Sequence, residues 1–231
     1  MNAELFDTLR GADTPTICNA IEVVEGKRGF SNFTKRTMLR SDGDRTPFLG
    51  YARTAKIKAR EASTDAAEIV RARRMAYYEH MSQGPRPALA VIEDEDGANA
   101  VGAYWGEINT TVHKGFGLAG AVTNGVMRDL GDLPEGFPVL AGRIGPSHAF
   151  VHVTEIGGPV EIFGMTVHDG DLVHADQHGA LVIPPGAIPE LTRAVVKLRA
   201  TEALILEPAR EEGFDFERFE AAWAAFEAAR T

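Results

Sequence analysis

Apolar positions near the start of the chain recur at helical spacing. They predict two short helices at residues 2–10 and 15–23, the second opening with Thr14 as N-cap and Pro15 at the first helical position. Residues 26–48 are polar and rich in Gly, Arg and Asp, so we expect a long loop or insertion there.

From residue 50 onwards, the pattern of apolar and polar positions alternates between the periodicity of a strand and that of a helix. Apolar and polar side chains alternate over residues 50–60, which is typical of a strand. The segments that follow are predicted as a helix capped by Thr64 and running to about Ser82, a buried strand at 88–92, a helix at 106–114, and a buried strand at 119–123 that ends in Asn124-Gly125.

The second half of the chain has a different pattern. Short strands are predicted between residues 139 and 183, with hairpin signals at Gly157-Gly158, Phe163-Gly164, Asp169-Gly170 and His178-Gly179. Two amphipathic helices follow at 187–206 and 216–229. In the second helix Phe216, Phe219, Trp223 and Phe226 share one face, which predicts packing against the sheet or a neighbouring subunit. We therefore expect a single mixed α/β layered domain over residues 1–231, with a C-terminal helical extension from about 187.

Composition narrows the possible classes of protein. The 231 residues carry a formal net charge of −9 and no long basic block, which argues against a nucleic-acid ligand. No apolar run approaches the ~20 residues that cross a bilayer, and the N-terminus lacks the layout of a secretory signal. A single cysteine, Cys18, rules out an internal disulfide framework, and we expect a cytoplasmic protein.

Gly115-Phe-Gly-Leu-Ala-Gly120 matches the dinucleotide pattern G-x-G-x-x-G. That motif needs a strand before the glycines and a helix after them, so that a pyrophosphate meets the N-terminus of the helix. Here the predicted order is reversed. We therefore interpret Gly115 and Gly117 as C-cap and turn residues, and we do not predict a nucleotide site.

The segment from Gly106 to Asp132 combines three features of a ligand site. A helix is predicted to begin at Gly106-Glu107, where backbone N–H groups without helical partners can bind a carboxylate. Asn124-Gly125 is predicted to end a buried strand, and ligand sites gather at such strand ends. Arg128-Asp129 follows and places an anion-binding guanidinium beside a hard oxygen ligand.

On these residues the chain resembles the RraA-like family, which includes class II 4-hydroxy-4-methyl-2-oxoglutarate aldolases and the regulator of ribonuclease activity A. The likeness runs from Thr16-Ile-Cys-Asn-Ala-Ile to Gly170-Asp-Leu-Val-His-Ala-Asp-Gln-His-Gly-Ala-Leu-Val-Ile-Pro184. The enzymes of the family have an acid, twenty intervening residues, Arg-Asp, and a further acid after two more residues. Glu107, Arg128, Asp129 and Asp132 have this spacing.

The resemblance implies an αββα fold and a metal-dependent lyase acting on a small 2-oxo acid. Asp129 would bind Mg²⁺ or Mn²⁺, and Arg128 would hold the keto oxygen that becomes an enolate. The backbone at Gly106, Glu107, Ile108 and Asn109 would bind the substrate carboxylate. Glu107 and Asp132 would orient a metal-bound water that takes the hydroxyl proton. Oxaloacetate decarboxylation would use the same enolate.

Departures from the family pattern bear on the substrate. The family usually has Asp where Asn19 and Asn124 stand, and an acid or Asn at His178. We expect Asn124 to lie close to the metal. In the family a glutamate from a neighbouring subunit can complete the site, with Glu202 or Glu207 as candidates here, and the resemblance implies a homotrimer or a hexamer.

Four alternatives remain open at the level of sequence. A second metal site would use His148, His152, His174 and His178, although strand histidines more often form hydrogen bonds. A Schiff-base mechanism needs a desolvated lysine, whereas Lys56 and Lys58 have the polar parity of their strand. A third alternative is a non-catalytic protein that binds and inhibits a ribonuclease. A methyltransferase of menaquinone biosynthesis, a name given to some relatives, finds no cofactor motif here.

Overall fold

The computed structural model describes residues 2–230, so the predicted domain limits Met1 and Thr231 lie outside the described residues. The helices are α1 (Ala3–Arg10), α2 (Thr14–Glu25), α3 (Ala67–Ser82), α4 (Glu107–Gly115), α5 (Ile188–Ala209) and α6 (Phe216–Arg230). The strands are β1 (Leu39–Arg40), β2 (Phe48–Lys58), β3 (Ala88–Asp94), β4 (Ala103–Trp105), β5 (Leu118–Met127), β6 (Val139–Ile144), β7 (His152–Ile156), β8 (Val160–Ile162), β9 (Met165–Val167), β10 (Leu172–Asp176) and β11 (Gly179–Ile183).

Nine strands form one mixed sheet in the order β1-β6-β5-β3-β2-β10-β11, with β4 paired to β5 and β7 paired to β2. The central strands β2, β3, β5 and β6 are parallel, so their carboxyl ends meet at one edge of the sheet. The remaining pairs around them, β1–β6, β2–β7, β2–β10 and β10–β11, are antiparallel. Strands β8 and β9 form a separate hairpin.

Three large apolar cores separate four layers and confirm the predicted αββα class. One core lies between the sheet and helices α3 and α4, around Tyr77 and Trp105. A second lies where the curled sheet and the β8–β9 hairpin face each other, around Val122 and Ile162. The third joins the sheet to α1, α2 and α5, around Ile17. The chain is therefore a single α/β domain with a curled mixed sheet and C-terminal helices.

Two predicted helix starts are wrong. The N-cap of α2 is Asp13, whose carboxylate accepts the N–H of Thr16, and Thr14 is already helical. Helix α3 begins at Ala67 with Ala66 in the N-cap position and no side-chain cap, so Thr64 does not cap it. The ends of α2 and α5 extend slightly beyond the predicted bounds, as is usual for predictions from pattern alone.

Two of the four predicted hairpins are also wrong. Phe163-Gly164 joins β8 to β9 and His178-Gly179 joins β10 to β11, as predicted. Gly157-Gly158 and Asp169-Gly170 instead connect strands that pair elsewhere, because β7 and β10 both pair with β2. The polar segment 26–48 contains the short strand β1, the bridge of Phe33 to Leu181, and the first residue of β2.

Helix α6 packs mainly on α5, and its aromatic rings follow one another at centroid distances of 6.0, 5.7 and 5.5 Å from Phe216 to Phe226. Phe216 is 70% exposed and Trp223 is 42% exposed, so this face is only partly covered within the chain. Across residues 2–230, none of the helices combines the length and the apolar character that a membrane span requires.

Candidate active site

The carboxyl end of β5 places Arg128 and Asp129 beside β4. The backbone N–H of Arg128 donates to the carbonyl oxygen of Trp105 at 2.8 Å, and the N–H of Asp132 donates to the carbonyl oxygen of Asp129 at 2.9 Å. Asp129 has a φ of 57°, a left-handed conformation that aspartate adopts more readily than bulkier residues. Arg128 and Asp129 are therefore fixed by a tight turn at the edge where the parallel strands end.

Helix α4 begins against this turn. A Cβ added to Gly106 would lie 2.6 Å from Oδ2 of Asp129 and 3.0 Å from Nε of Arg128, so a side chain at this position would require a shift. The backbone N–H of Glu107 donates to Oδ2 of Asp129 at 3.2 Å. The sequence prediction that Gly106, Glu107, Arg128 and Asp129 lie together thus agrees with the geometry.

The first turn of α4 has backbone donors available to a ligand. The N–H of Thr110 bonds to the carbonyl oxygen of Gly106 at 3.0 Å. Within residues 2–230, no acceptor is found for the N–H of Ile108 or of Asn109. Unpaired N–H groups and the positive end of the helix dipole together suit a carboxylate or another anion.

Arg128 and Asp129 also contact each other and remain accessible. Nη1 of Arg128 is 3.1 Å from Oδ1 of Asp129, and their side chains are 31% and 28% exposed. Nε of Arg128 is buried and has no hydrogen-bond partner in the described part of the chain. A ligand that reaches this turn therefore meets the partly exposed guanidinium of Arg128 next to the carboxylate of Asp129.

The Asp129 carboxylate fits a divalent cation held by one protein ligand. Each of its oxygens accepts a single hydrogen bond, which leaves lone pairs for a metal. Residues 2–230 contain no group of three or more His, Cys, Asp or Glu side chains arranged for a metal. Mg²⁺ commonly binds through one or two carboxylates and keeps several waters, so a site with one aspartate ligand fits its usual coordination.

The acids predicted to assist catalysis lie at the site but are less constrained. Glu107 and Asp132 are both exposed. Ile108, which carries one of the unpaired N–H groups, is 74% exposed. The backbones of the two acids touch Asp129 through the contacts given above, whereas no side-chain hydrogen bond of Glu107 or Asp132 occurs among residues 2–230. The structure thus places the backbones of Glu107 and Asp132 beside Asp129, and both residues are exposed.

Asn124 has a different place from the one expected. Strand β5 does not end at Asn124-Gly125 but continues to Met127, with an irregular register against β6 between Thr123 and Val126. The Asn124 side chain accepts the N–H of Asp94 at 2.7 Å and donates to the Asp94 carbonyl oxygen at 3.0 Å. Its amide therefore pairs with the backbone of β3 across the irregularity, rather than with Arg128 or Asp129.

The other residues singled out by the family comparison lie away from this turn. Asn19 and Glu202 line a cleft of about 650 Å³ between α2, α5 and α6, and Glu207 is exposed on α5. Within this chain they do not reach Arg128. A contribution of Glu202 or Glu207 to the site would have to come from a second copy.

In the part of the chain that the structure describes, His148, His152, His174 and His178 do not form a metal-binding group. His174 is fully buried, with its ring nitrogens near Oγ1 of Thr14 and the carbonyl oxygen of Leu9, so it anchors the start of α2. His178 pairs with Asp176 at 3.1 Å. His148 and His152 bond to nearby backbone carbonyl oxygens. All four histidine side chains therefore form hydrogen bonds within the chain, which was the alternative to metal binding.

Lys56 has the opposite character from a Schiff-base lysine. Its Nζ lies 2.9 Å from a Glu155 carboxylate oxygen, and this hydrogen bond raises the pKa of Lys56 above its usual value. A Schiff-base lysine needs a lowered pKa. Lys58 is exposed at the end of β2.

The glycine motif at 115–120 has the order of elements opposite to that of a dinucleotide-binding motif. Gly115 is the last residue of α4 and Phe116 is the C-cap, so the interpretation of Gly115 as the C-cap is wrong. Gly120 lies within β5, so a strand rather than a helix follows the glycines. Gly117 has a φ of 81°, which fits its role as a turn residue.

A network under the first turn of α4 was missed from sequence. The Tyr77 hydroxyl bonds to Nε2 of His113 at 2.7 Å, and Nδ1 of His113 bonds to the carbonyl oxygen of Asn109 at 2.6 Å. The Tyr78 hydroxyl donates to Oδ1 of Asn109 at 2.6 Å. Tyr77-Tyr78 and His113 are far apart in sequence, and only their helical spacing on α3 and α4 hints that they face the same core.

The fold and the arrangement of elements define a single-domain α/β protein with a curled mixed sheet and C-terminal helices. Residues 14–182 match the RraA-like family, described as Aldolase/RraA. The chain belongs to this family, and α5 and α6 follow the matched region.

Curated relatives share parts of the chain. Protein DlpA of Legionella pneumophila is 26% identical over 147 residues, which are 58% of this chain and 23% of that protein. The uncharacterized protein MJ0644 of Methanocaldococcus jannaschii is 30% identical over 107 residues, which are 46% of this chain and 51% of that protein. The chain thus spans about half of the second relative and less of the first.

Solved structures share the fold over nearly the whole chain. An uncharacterized protein from Pseudomonas syringae has a TM-score of 0.71 at 21% identity, covering 97% of this chain and 94% of that one. Streptomyces coelicolor RraAS2, described as an unusual member of the RNase ES inhibitor RraA family, has a TM-score of 0.67 at 23% identity, covering 87% and 95%. At these identities the likeness establishes the fold.

Proposed function

We propose that the chain is a divalent-metal-dependent lyase that cleaves a carbon–carbon bond next to a pyruvyl group, as an aldolase or an oxaloacetate decarboxylase. The contact of Arg128 and Asp129 with the first turn of α4 carries the proposal. It sets a guanidinium, a hard oxygen ligand and two backbone N–H groups side by side. A 2-oxo acid presents a keto oxygen and a carboxylate, the two groups that a guanidinium with a metal ion and a pair of backbone N–H groups can bind.

The residues of the site would have separate roles in binding the substrate and stabilising the enolate. The N–H groups of Ile108 and Asn109 would bind the substrate carboxylate. Mg²⁺ or Mn²⁺ held by Asp129 would supply positive charge that polarises the keto oxygen. The Arg128 guanidinium would donate to the same oxygen and stabilise the enolate charge that develops as the bond breaks.

Aldol cleavage also removes a proton from the substrate hydroxyl. The exposed carboxylates of Glu107 and Asp132 flank the turn, and we assign to them the positioning of a water that accepts this proton. Decarboxylation of oxaloacetate forms the same enolate without a hydroxyl proton. It should therefore depend on Arg128 and Asp129 and be less sensitive to Glu107 and Asp132.

The test is pyruvate release from oxaloacetate and from 4-hydroxy-4-methyl-2-oxoglutarate, each with Mg²⁺, with Mn²⁺ and with EDTA. The proposal expects release that depends on the metal and stops with EDTA. Absence of release from both acids under all conditions would contradict it.

A second candidate is a non-catalytic protein that binds and inhibits a ribonuclease, since the structurally similar RraAS2 is described as a member of an RNase ES inhibitor family. This function needs neither unpaired N–H groups nor a metal ligand at the end of β5. Inhibition of a captured ribonuclease, together with no metal-dependent pyruvate release, would favour it over the lyase.

We further propose that the chain acts as a homo-oligomer, a trimer or a hexamer, as the family resemblance implies. The partly exposed aromatic face of α6 is the surface we assign to contact with a second copy. In such an oligomer, Glu202 or Glu207 would contribute to the active site of a neighbouring subunit.

A further inference from the structure

Asn109 is fastened to the core at three points. Its Oδ1 accepts from the Tyr78 hydroxyl, its Nδ2 donates to the carbonyl oxygen of Tyr104, and its own carbonyl oxygen accepts from Nδ1 of His113. Each of these distances is 2.6 Å. The first turn of a helix is otherwise prone to fraying, because its N–H groups lack intrahelical partners. Here the residue that carries one of these N–H groups is held on three sides.

The bonding partners fix the protonation of His113. A carbonyl oxygen can only accept, so Nδ1 of His113 carries the proton and donates to Asn109. In the neutral ring Nε2 therefore accepts from the Tyr77 hydroxyl at 2.7 Å. Burial lowers the pKa of His113 to about 4, which keeps this ring neutral at physiological pH. His113 and Tyr77 are both fully buried.

The network shares its support with Arg128. Tyr104 and Trp105 are neighbours on β4, and the carbonyl oxygen of Trp105 accepts the backbone N–H of Arg128. The Trp105 ring also packs on the His113 ring, with centroids 4.8 Å apart. Strand β4 thus connects Asn109 of α4 to the backbone of Arg128.

We propose that Tyr78 and His113 are positioning residues that hold Asn109 so that the N–H groups of Ile108 and Asn109 are aimed at the substrate carboxylate; this rests on the proposed lyase function. Tyr78 fixes the orientation of the Asn109 amide and His113 fixes its carbonyl. Because the turn is already ordered before the substrate binds, binding does not carry the entropic cost of ordering it. The carboxylate is bound equally in the ground state and the transition state, so loss of order should weaken binding more than it slows chemistry.

Tyr78→Phe tests the proposal, because it removes one hydroxyl and leaves the ring in place. Titration calorimetry with Mg²⁺ and oxalate, a stable dicarboxylate resembling the pyruvyl enolate, should show a Kd raised about 3- to 10-fold, the worth of one hydrogen bond. KM for oxaloacetate should rise by the same factor while kcat stays within about twofold. Tyr51→Phe, on β2 outside the network, is the matched control and should leave both constants unchanged.

Amide hydrogen exchange gives a readout that does not require activity. The N–H of Thr110, which bonds to the carbonyl oxygen of Gly106 and closes the first turn of α4, should exchange faster in Tyr78→Phe than in the wild type, because the turn opens more often. Tyr51→Phe should not alter it. Unchanged exchange, or an unchanged Kd for oxalate in a wild type that binds it, would overturn the positioning role and leave the lyase function standing. A wild type that neither binds oxalate nor releases pyruvate would instead refute the lyase function, and the positioning role with it.

Discussion

Asp94 is a buried aspartate whose carboxylate is only half satisfied. It is 1% exposed, Oδ1 accepts the N–H of Asp96 at 3.0 Å, and Oδ2 has no partner in the described part of the chain. Burial raises the pKa of Asp94 to about 6, against the opposing effect of the Asp96 hydrogen bond, and the charges of Asp96 and Glu95 add to the rise. A raised pKa in the folded state means that ionisation opposes folding.

Asp94→Asn should therefore stabilise the protein in a pH-dependent way. Near pH 4 and below, the wild-type carboxyl is protonated in the folded state and the variant gains little. As pH rises from about 4 to about 6, the wild type loses stability and the variant does not, because the unfolded carboxyl ionises first. Above pH 6 the gain should be about 1–3 kcal/mol, since one pKa unit corresponds to about 1.4 kcal/mol.

Urea denaturation of both proteins at several pH values measures this gain in the free energy of unfolding. Asp7→Asn, an exposed aspartate of α1, is the control and should show no comparable pH-dependent gain. A gain for Asp94→Asn that shrinks as pH rises would contradict the assignment of a charge-related cost to Asp94.

At the scale of elements, the start of α4 depends on the absence of a side chain at Gly106. Gly106→Ala would place Cβ 2.6 Å from Oδ2 of Asp129, so the helix or the carboxylate must move. A displacement approaching 1 Å at a site can cost about 100-fold in rate, and we expect kcat/KM for oxaloacetate to fall by about 10- to 100-fold.

Gly115→Ala provides a control within the same helix, because an added Cβ there meets no atom within 4 Å. Steady-state kinetics of both variants, with circular dichroism to confirm folding, make the comparison. Near-normal turnover in Gly106→Ala would show that the close approach of α4 to Asp129 is not needed for the reaction.

The elements also show what the sequence could predict. The helix at 106–114 and the strand before Arg128 follow from local pattern, and their adjacency follows from parallel strands ending at one edge. The Asn124-Gly125 pair was predicted to end β5, but pairing with β4 and β6 carries the strand through it, because tertiary contacts override turn propensity. The bonds of Tyr78 and His113 to Asn109 join separate elements, so no local pattern reports them.

At the scale of the whole molecule, the four layers follow from hydrophobic patterning, whereas the strand order does not. Strand β2 pairs with β3, β7 and β10, three strands far apart in sequence, and local periodicity holds no information on that choice. The C-terminal helices were predicted with nearly correct bounds, and the aromatic face of α6 was predicted to pack. Because this face is partly exposed in the single chain, it is the surface that we assign to contact with a second copy.

An oligomer built on α6 should weaken when that face becomes polar. Sedimentation should give a wild-type mass of three or six times the 24.9 kDa of one chain. Phe216→Ser, at a position 70% exposed in the single chain, should increase the fraction of smaller species on dilution, because an apolar contact is lost. Phe150→Ser, at another exposed phenylalanine, should not. The reverse result would place the interface at Phe150.

The central claim is that Asp129 holds the metal on which carbon–carbon cleavage depends, and Asp129→Ala tests it most directly. Pyruvate release from oxaloacetate and Mn²⁺ binding should be measured together for the wild type, Asp129→Ala and Asp7→Ala. The account predicts that Asp129→Ala loses both Mn²⁺ binding at the site and metal-dependent release, by about 100-fold or more, whereas Asp7→Ala retains both. Metal-dependent release that persists in a folded Asp129→Ala variant would contradict the account.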